Sequence, residues 1–406
     1  MPPPGSLASR VVTMLTRPAH AFDADNHYYE AEDAFIRHVE PKMRGRCMRW
    51  AEVEGKKRLL VGGKVNHFIP NPTFDPVSKP GALIDYFRGK TSIADLHSAF
   101  GELDPISPAY RDPAARVAVM DQQGLDGAFL FPTLGVGMES SLAADRPALL
   151  AAFRGFNRWL LDDWTFNYQD RLFAAPYLTL ADVEWAVEEL EFVLDHGARI
   201  INMRPGPVED RAGNRSFGHP SHDPFWARVN EAGITVAFHA GDAGYGFLLE
   251  QWGVDPEFKA FRIPALFQLL TMSPISDTVA SFLADGVLLR FPRIRLATIE
   301  NGGDWVRPLF AKLTKAWKMR RPMWQEDPRE TFRRHVWVSP FYEDDLGDLA
   351  GLIGMDHLVF GSDWPHAEGL ADPLTYVDDL DDAGFTQADA ERVMYANAAQ
   401  LAVPIG

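Results

Sequence analysis

The sequence predicts an α/β protein, a (β/α)8 TIM barrel of the metal-dependent hydrolase type with a long insertion after its first strand. Three observations predict it. Eight short apolar runs alternate with segments of helical period along the chain. Most of the runs are continuously apolar, as parallel strands covered on both faces are. Three of them end in carboxylate and imidazole residues, and the C-terminal rim of the strands is where a barrel places its chemistry. An open sheet of seven or eight strands is the alternative that the same runs allow.

The expected strands are residues 21–28, 127–134, 172–178, 198–204, 234–239, 295–300, 335–339 and 357–362. Each has the length of a buried strand. Helices fit between them. Residues 182–196 place Val183, Ala186, Val187, Leu190, Val193 and Leu194 on one face at a 3.6-residue period. Thr179 is expected to cap that helix, and Gly197 follows its end. Residues 223–233 open on Asp223-Pro224, a cap followed by proline at the first helical position, and close on Gly233. Residues 116–124, 144–168, 274–291, 305–318, 344–354 and 388–401 supply the other helices. Residues 39–112 do not fit the repeat: glycine and proline are frequent there and no long periodic run occurs. They read as an excursion that covers the barrel mouth, and 241–273 as a second one after strand 5. Residues 1–18 read as a flexible tail and 19–406 as a single barrel domain.

The 406-residue chain is 46% hydrophobic and 24% charged, the balance of a globular protein with a large core. Its net charge of −16 argues against nucleic acid and anionic membranes as partners. One cysteine, Cys47, allows no intramolecular disulfide and fits a reducing cytoplasm. No apolar run approaches the ~18 residues that span a bilayer, and the first residues lack the apolar core of a signal peptide. The glycines of 241–246 (GDAGYG) have the wrong spacing for a dinucleotide fingerprint.

The residues that end the strands carry the chemistry. Strand 1 ends Asp23-Ala24-Asp25-Asn26-His27, and residues two apart on a strand share a face, so Asp25 and His27 are expected to enter the mouth together. Strand 5 ends at His239 and strand 8 runs into Asp363. Strands 1 and 8 adjoin in a closed barrel and strand 5 lies opposite, so two carboxylates and two imidazoles converge. That donor set suits zinc, iron or manganese, and the two carboxylates favour manganese. Each residue also has a plain structural use, as a loop cap or a hydrogen-bonded core histidine, and only the joint pattern points to a metal. Arg204 closes strand 4 and is expected either to pair with a substrate carboxylate or to form a surface ion pair. Tyr28, Trp364 and Phe341 are candidate walls for an aromatic substrate, although core packing is the default for such residues. His366 is expected to stand behind Asp363 and orient it. His219 and His222 flank a turn, where loop hydrogen bonding is the better reading.

With these residues in place, the motifs DADNH, FHAG, IENGGDW, VWVSPF, FGSDWPH and YANAA resemble the amidohydrolase-related family. The likeness is to the branch typified by aminocarboxymuconate-semialdehyde, gamma-resorcylate and 5-carboxyvanillate decarboxylases. It covers strand 1 and then about residue 115 to the end. It implies a barrel with one catalytic zinc or manganese ion, held by His27, His239, Asp363 and the shorter Asp25, which stands where the family has His or Glu. Many members have an acid/base His after strand 6; here Glu300 stands in that place. The resemblance implies a carboxy-lyase acting on an aromatic or unsaturated acid, a small-molecule carboxylate partner and a homodimer. Asp363 or Glu300 then supplies the proton. Two other readings stay open. One is hydrolysis of a lactone, ester or amide by the same residues, with Asp363 as general base. The other is a barrel without catalysis that serves as a binding protein.

Overall fold

The computed structural model describes residues 14–67, 75–90, 103–210, 213–255, 266, 270 and 273–405. Residues 1–13 of the expected tail and parts of both expected excursions lie outside these. Within the remainder of the tail, Leu15 N donates to Asp381 and Arg17 pairs with Asp372.

Seven of the apolar runs form parallel strands: β1 (Phe22–Tyr28), β2 (Gly127–Pro132), β3 (Leu172–Ala174), β4 (Ile200–Met203), β5 (Thr235–His239), β6 (Arg295–Ile299) and β7 (Val336–Val338). They pair in the order β1–β2–β3 and β4–β5–β6–β7, every pair parallel. A parallel bridge from Tyr177 to Asn202 joins the two sets. The eighth run departs from expectation. Residues 358–364 form no continuous ladder; they make single parallel bridges, Leu358 to Val338 and Trp364 to Asn26. Val359 N donates to Val338 O, and Ala24 N donates to Phe360 O. The Phe360 amide turns instead to Val393 O on the last helical segment, which removes one rung. The run also starts later than expected, because His357 belongs to a 3-10 turn, Met355–His357.

Strand alternation sorts the core into two layers. Phe22, Ala24, Phe129, Phe131, Phe173, Ile200, Ala237, Ile299 and Val359, drawn from strand after strand, pack against one another. Their neighbours in sequence, among them Ala128, Leu130, Ile201, Val236 and Leu296, pack against the helices. The helices that shape the site's surroundings are α1 (Pro113–Gln123), α2 (Arg146–Asp163), α3 (Val183–Asp195), α4 (Asp223–Ala232), α5 (Pro274–Ala284), α6 (Val306–Met319), α7 (Pro328–His335), α8 (Leu346–Ile353) and α9 (Tyr376–Asp382). Asp112, Asp145, Asp182 and Asp327 cap α1, α2, α3 and α7 with their side chains. Asp182 therefore takes the role expected of Thr179, whose hydroxyl donates to Glu139 at 2.6 Å. Asp223 is the first residue of α4 and His222 precedes it as an unbonded cap position. The C-terminal helical pattern is broken: a π-turn, Arg392–Ala396, interrupts it. No helix among the described residues is long and apolar enough to cross a membrane.

The segment after β1 carries structure that its composition concealed. Met48–Val53 and Lys56–Val61 pair antiparallel, and Lys64–Val65 adds a third short strand. Glu54 and Gly55 have φ of 53° and 70°, and Gly62 and Gly63 have 59° and 79°. Two consecutive residues with positive φ are what a two-residue type I′ hairpin loop requires. Further on, the Gly81 and Leu83 amides donate to the carbonyls of His366 and Ala367, so this segment packs on the chain that follows Asp363.

Candidate metal centre

The ends of β1, β5, β6 and the eighth run meet at one point. Asp25 and His27 project together from β1, as their spacing predicts. A register shift between Asp23 and Asn26 in the pairing with β2 includes Asp25 and lies just before His27. His27 Nε2 lies 3.3 Å from Asp25 Oδ1 and 3.3 Å from Asp363 Oδ1. His239 Nε2 lies 3.2 Å from His27 Nε2, 3.4 Å from Asp25 Oδ1 and 3.2 Å from Glu300 Oε2. Asp25, His27 and His239 are buried; Asp363 and Glu300 keep 14% and 24% of their side chains accessible, on the open side of the cluster.

The ring orientations suit a cation. His239 Nδ1 donates to Ala240 O at 2.7 Å, which leaves Nε2 of the neutral ring with its lone pair facing the cluster. Asp25 Oδ1 is buried and accepts no hydrogen bond. Two groups, Asp25–His27–His239 and His27–Asp363–His366, each bring three ligand atoms within 4.8 Å of one another. Two imidazole nitrogens beside carboxylate oxygens, one of them orphaned, fit a divalent ion such as zinc or manganese.

Each carboxylate is tuned differently. Burial pushes Asp25 up, but the neighbouring imidazoles of His239 and His27 outweigh it and hold Asp25 below the usual carboxylate range. Burial, together with the charges of Glu368, Asp25 and Asp23, pushes Asp363 well up. Burial and Asp363 do the same to Glu300. Burial and the nearby His366 hold His27 well below the ordinary imidazole value. Asp363 and Glu300 also share a backbone peculiarity: φ is 57° and 53°, the left-handed region that side chains avoid.

Behind the cluster stand the expected His366 and two residues that the sequence did not single out, Asp23 and Arg116. His366 does touch Asp363, Nδ1 to Oδ1 at 2.6 Å, and its Nε2 meets Thr133 Oγ1 at 3.0 Å. Asp23 is wholly buried and accepts from Asp25 N, Asn26 Nδ2, Ser362 N and Ser362 Oγ, tying the end of β1 to the chain that carries Asp363. Arg116 on α1, also wholly buried, donates to His27 O at 2.6 Å and to Ala109 O at 2.7 Å. The signal for Asp23 was its i−2 spacing from Asp25; a lone Arg on an amphipathic helix gave no signal.

Of the four expected substrate-contacting residues, three fall elsewhere. Tyr28 points away from the cluster and packs its ring between Trp159 and Trp164. Trp364 is buried against Tyr110 and under the Arg116 guanidinium, 4.5 Å from its ring. Arg204 is buried and already engaged: it donates to Ala243 O and Pro207 O and faces Glu139 Oε2 at 3.6 Å. Only Phe341 stays at the rim, 42% exposed, over Gly302 and two residues beyond Glu300 in the neighbouring loop. Tyr28, Trp364 and Arg204 therefore do not join the cluster: strand alternation turns Tyr28 to the other layer, and local partners hold Trp364 and Arg204. His222 is buried and meets Phe217 O, a loop contact as expected.

A family model described as amidohydrolase matches residues 67–401, which excludes β1 and begins inside the expected excursion. The solved amidohydrolase map2389c of Mycobacterium avium subsp. paratuberculosis K-10 is 41% identical, with 94% of this chain and 97% of that one covered and a TM-score of 0.88. Two more distant structures share the fold. 2,6-Dihydroxybenzoate decarboxylase from Rhizobium is 19% identical over 83% of this chain and 96% of its own, with a TM-score of 0.53. 5-Carboxyvanillate decarboxylase from Novosphingobium aromaticivorans, complexed with manganese and a nitrobenzoic acid, is 14% identical over 97% of each chain, with a TM-score of 0.51. Among curated proteins no relative matches the chain.

Proposed function

The chain belongs to the amidohydrolase family, as a metal-dependent enzyme, and we propose that it is a carboxy-lyase removing carbon dioxide from an aromatic or unsaturated carboxylic acid. The observation that carries this is the convergence of His27, His239, Asp25 and Asp363 at strand ends, with Glu300 beside them. The pairings of 358–364 with both β7 and β1 favour a closed eight-stranded barrel, folded as one domain, around that point. A buried lone thiol suits a cytoplasmic location.

His27, His239, Asp25 and Asp363 would hold the ion, zinc or manganese. When bound, it supplies the positive charge that draws a carboxylate into an acidic protein and offsets negative charge built up during reaction. The chain's own residues do the rest. Asp363, whose carboxyl is pushed up by burial, lies on the accessible side of the cluster and is the group placed to carry the proton. It delivers that proton to the ring or alkene carbon that loses carbon dioxide, and the electron pair of the broken C–C bond forms the new C–H bond. His366 holds Asp363 from behind and Thr133 holds His366. Glu300, also pushed up, is the second acid and the counterpart of the expected strand-6 group. Phe341 at the rim offers one wall for a flat substrate.

Hydrolysis is the second reading, favoured by the description of the 41% identical relative as an amidohydrolase. In it Asp363 takes a proton from water and returns it to the leaving group. Carbon dioxide release from a panel of hydroxybenzoic and enoic acids, run beside lactone and ester opening with zinc or manganese restored, separates the two. Hydrolysis without carbon dioxide release overturns the first reading. Neither activity, in protein that carries no stoichiometric metal, leaves the binding-protein reading.

A further inference from the structure

The two imidazoles of the centre are held differently. His239 Nδ1 has a fixed acceptor, Ala240 O at 2.7 Å. His27 Nδ1 is buried and has no hydrogen-bond partner among the described residues. A metal-binding imidazole is ordinarily aimed by the bond that its second nitrogen makes. His27 lacks that bond, so packing and its own backbone set the direction of its ring. Packing supplies three neighbouring rings, His366 at 4.1 Å, His239 at 4.8 Å and Phe131 at 6.4 Å between centroids.

The backbone there is irregular. The pairing of β1 with β2 passes from Asp23–Ala128 to Asn26–Leu130, so β1 carries an extra residue between Asp23 and Asn26. This is a bulge, and Asp25 lies within it. A bulge re-aims side chains and interrupts the ladder, so other bonds must hold it in one geometry. Two groups supply them. On one side Asp23 accepts from Asp25 N at 3.1 Å and Asn26 Nδ2 at 2.8 Å. On the other, Arg116 donates from Nη2 to His27 O at 2.6 Å and from Nη1 to Asn26 Oδ1. The Asn26 amide thus spans the two, its oxygen to the guanidinium and its nitrogen to the carboxyl. The third donor, Arg116 Nε, reaches Ala109 O at 2.7 Å in the 3-10 turn Pro108–Tyr110, and Tyr29 N donates to Tyr110 O at 3.0 Å in the same turn.

Arg116 is a costly residue for this place. It is wholly buried and forms no ion pair among the described residues. Its guanidinium lies over the Trp364 and Trp164 rings, 4.5 Å and 5.5 Å from their centroids. Taking a cation out of water without a carboxylate beside it is unfavourable, and an apolar side chain would fill the same volume. What a guanidinium adds is a rigid planar fork whose donors meet several oxygens in fixed directions.

We propose that Arg116 is a positioning residue of the metal centre: through the His27 carbonyl and the Asn26 amide it fixes the bulge of β1, and so keeps His27 Nε2 and Asp25 Oδ1 within reach of one ion. The proposal rests on the metal-centre reading and not on which reaction the centre performs. A purely electrostatic role has the opposite consequence. A positive charge behind a cation site repels the cation, so removing it tightens binding, whereas lost position weakens binding.

The test measures metal affinity in the full chain, with zinc in competition with a chromophoric chelator and cobalt(II) as the spectroscopic probe. Arg116→Met removes the donors and the charge at similar length. It is expected to bind zinc about 10- to 100-fold more weakly, and to alter the visible absorption of bound cobalt(II), which reports ligand geometry, with the far-ultraviolet circular dichroism unchanged. Arg116→Lys keeps the charge and a donor and is expected to recover part of the affinity. Asn26→Ala combined with Arg116→Met is expected to weaken binding by less than the product of the two single effects, because both act on one bulge. Where Arg116→Met does not fold, Arg116→Lys decides: weaker zinc binding with a changed cobalt spectrum supports the proposal, and wild-type values overturn it. Folded variants that bind zinc as wild type does, or more tightly, overturn it even if they are less stable, because Arg116 is then a brace for the fold or a charge alone. A wild-type chain that binds no zinc overturns the metal-centre reading itself, and the proposal with it.

Discussion

Replacing Asp23 with Asn should change the stability of this protein in a pH-dependent way, with a reversal of sign. Asp23 is wholly buried in β1. Its Oδ1 accepts from Asp25 N at 3.1 Å and Ser362 N at 2.9 Å; its Oδ2 accepts from Asn26 Nδ2 at 2.8 Å and Ser362 Oγ at 2.5 Å. Burial outweighs these four bonds and pushes the carboxyl from 3.8 to about 7. A carboxyl raised by folding binds its proton more tightly in the folded chain than in the unfolded one. It therefore contributes stability fully below pH ~4, loses it progressively as pH rises to about 7, and contributes nothing further above that. Roughly three pH units at ~1.4 kcal/mol each make a swing of ~4 kcal/mol. Asn has no such titration. It keeps two of the bonds through its oxygen, and Ser362 Oγ can turn to accept, but its amide then faces the Asn26 amide, donor to donor. That mismatch costs ~1–3 kcal/mol at every pH. Asp23→Asn should thus be less stable than wild type by ~1–3 kcal/mol near pH ~4 and more stable by a similar amount at pH ~8. Urea unfolding of both proteins in chelator, followed by tryptophan fluorescence from pH ~4 to ~9, gives the difference directly. A difference that does not vary with pH would refute the reasoning, because it would mean that Asp23 stays ionised in the folded chain.

Other outcomes follow from the same geometry. His27→Ala and His239→Ala should each lower bound metal from about one ion per chain to well below, read by elemental analysis, while the far-ultraviolet circular dichroism is unchanged. Asp363→Asn should lower kcat by ~100-fold or more with the fold retained, since proton transfer by a positioned side chain contributes ~100- to 10,000-fold; retained activity would remove Asp363 from the proton path. Gly361→Ala sets a Cβ 2.6 Å from both Asp25 Cβ and Ser339 Oγ, and should reduce metal affinity in a titration and cost ~1–3 kcal/mol of stability. Metal uptake should release protons, because Asp363 and Glu300 are pushed up; calorimetry in buffers of different ionisation enthalpy measures the number, and none released near neutral pH would contradict the shifts.

The parallel strands and the residues that end them were legible because both signals are local. An apolar run broken by a polar residue marks a strand end wherever the strand sits: Asp25 and His27 share one Asp-x-His, Asp363 follows Ser362, and His239 closes its run alone. What escaped depended on contacts distant in sequence. Asp23 works through Ser362, and Arg116 through the carbonyl of His27. The eighth run loses its ladder to Val393, which no property of residues 357–362 foretells. Tyr28 and Trp364 take the core packing that is the default for such residues: alternation turns Tyr28 to the layer opposite His27, and Trp364 follows the left-handed backbone of Asp363. The hairpin after β1 was concealed by reading the chain for parallel units, although Glu54-Gly55 and Gly62-Gly63 are two-residue hairpin loops by their φ values.

The centre also opposes the rest of the fold in a way that locates it. Asp25, Glu300 and Asp363 bring like charges together in a buried place, and Glu300 and Asp363 adopt a backbone conformation that costs an ordinary residue ~1–2 kcal/mol. The chain holds this arrangement with dedicated braces. Asn301 Nδ2 donates to Phe238 O at 2.9 Å and Ile299 O at 2.7 Å, fixing the turn beside Glu300 across β5 and β6. Asp363 N donates to Asp25 O at 2.8 Å, and Asp23 clamps the residue before it. Packing alone would remove such features, since apolar residues at these positions would relieve both the repulsion and the strain. Strain, like charge and specific bracing coincide at the ends of β1, β5, β6 and the eighth run, so stability is sacrificed there for a geometry that only a cation or a proton transfer uses.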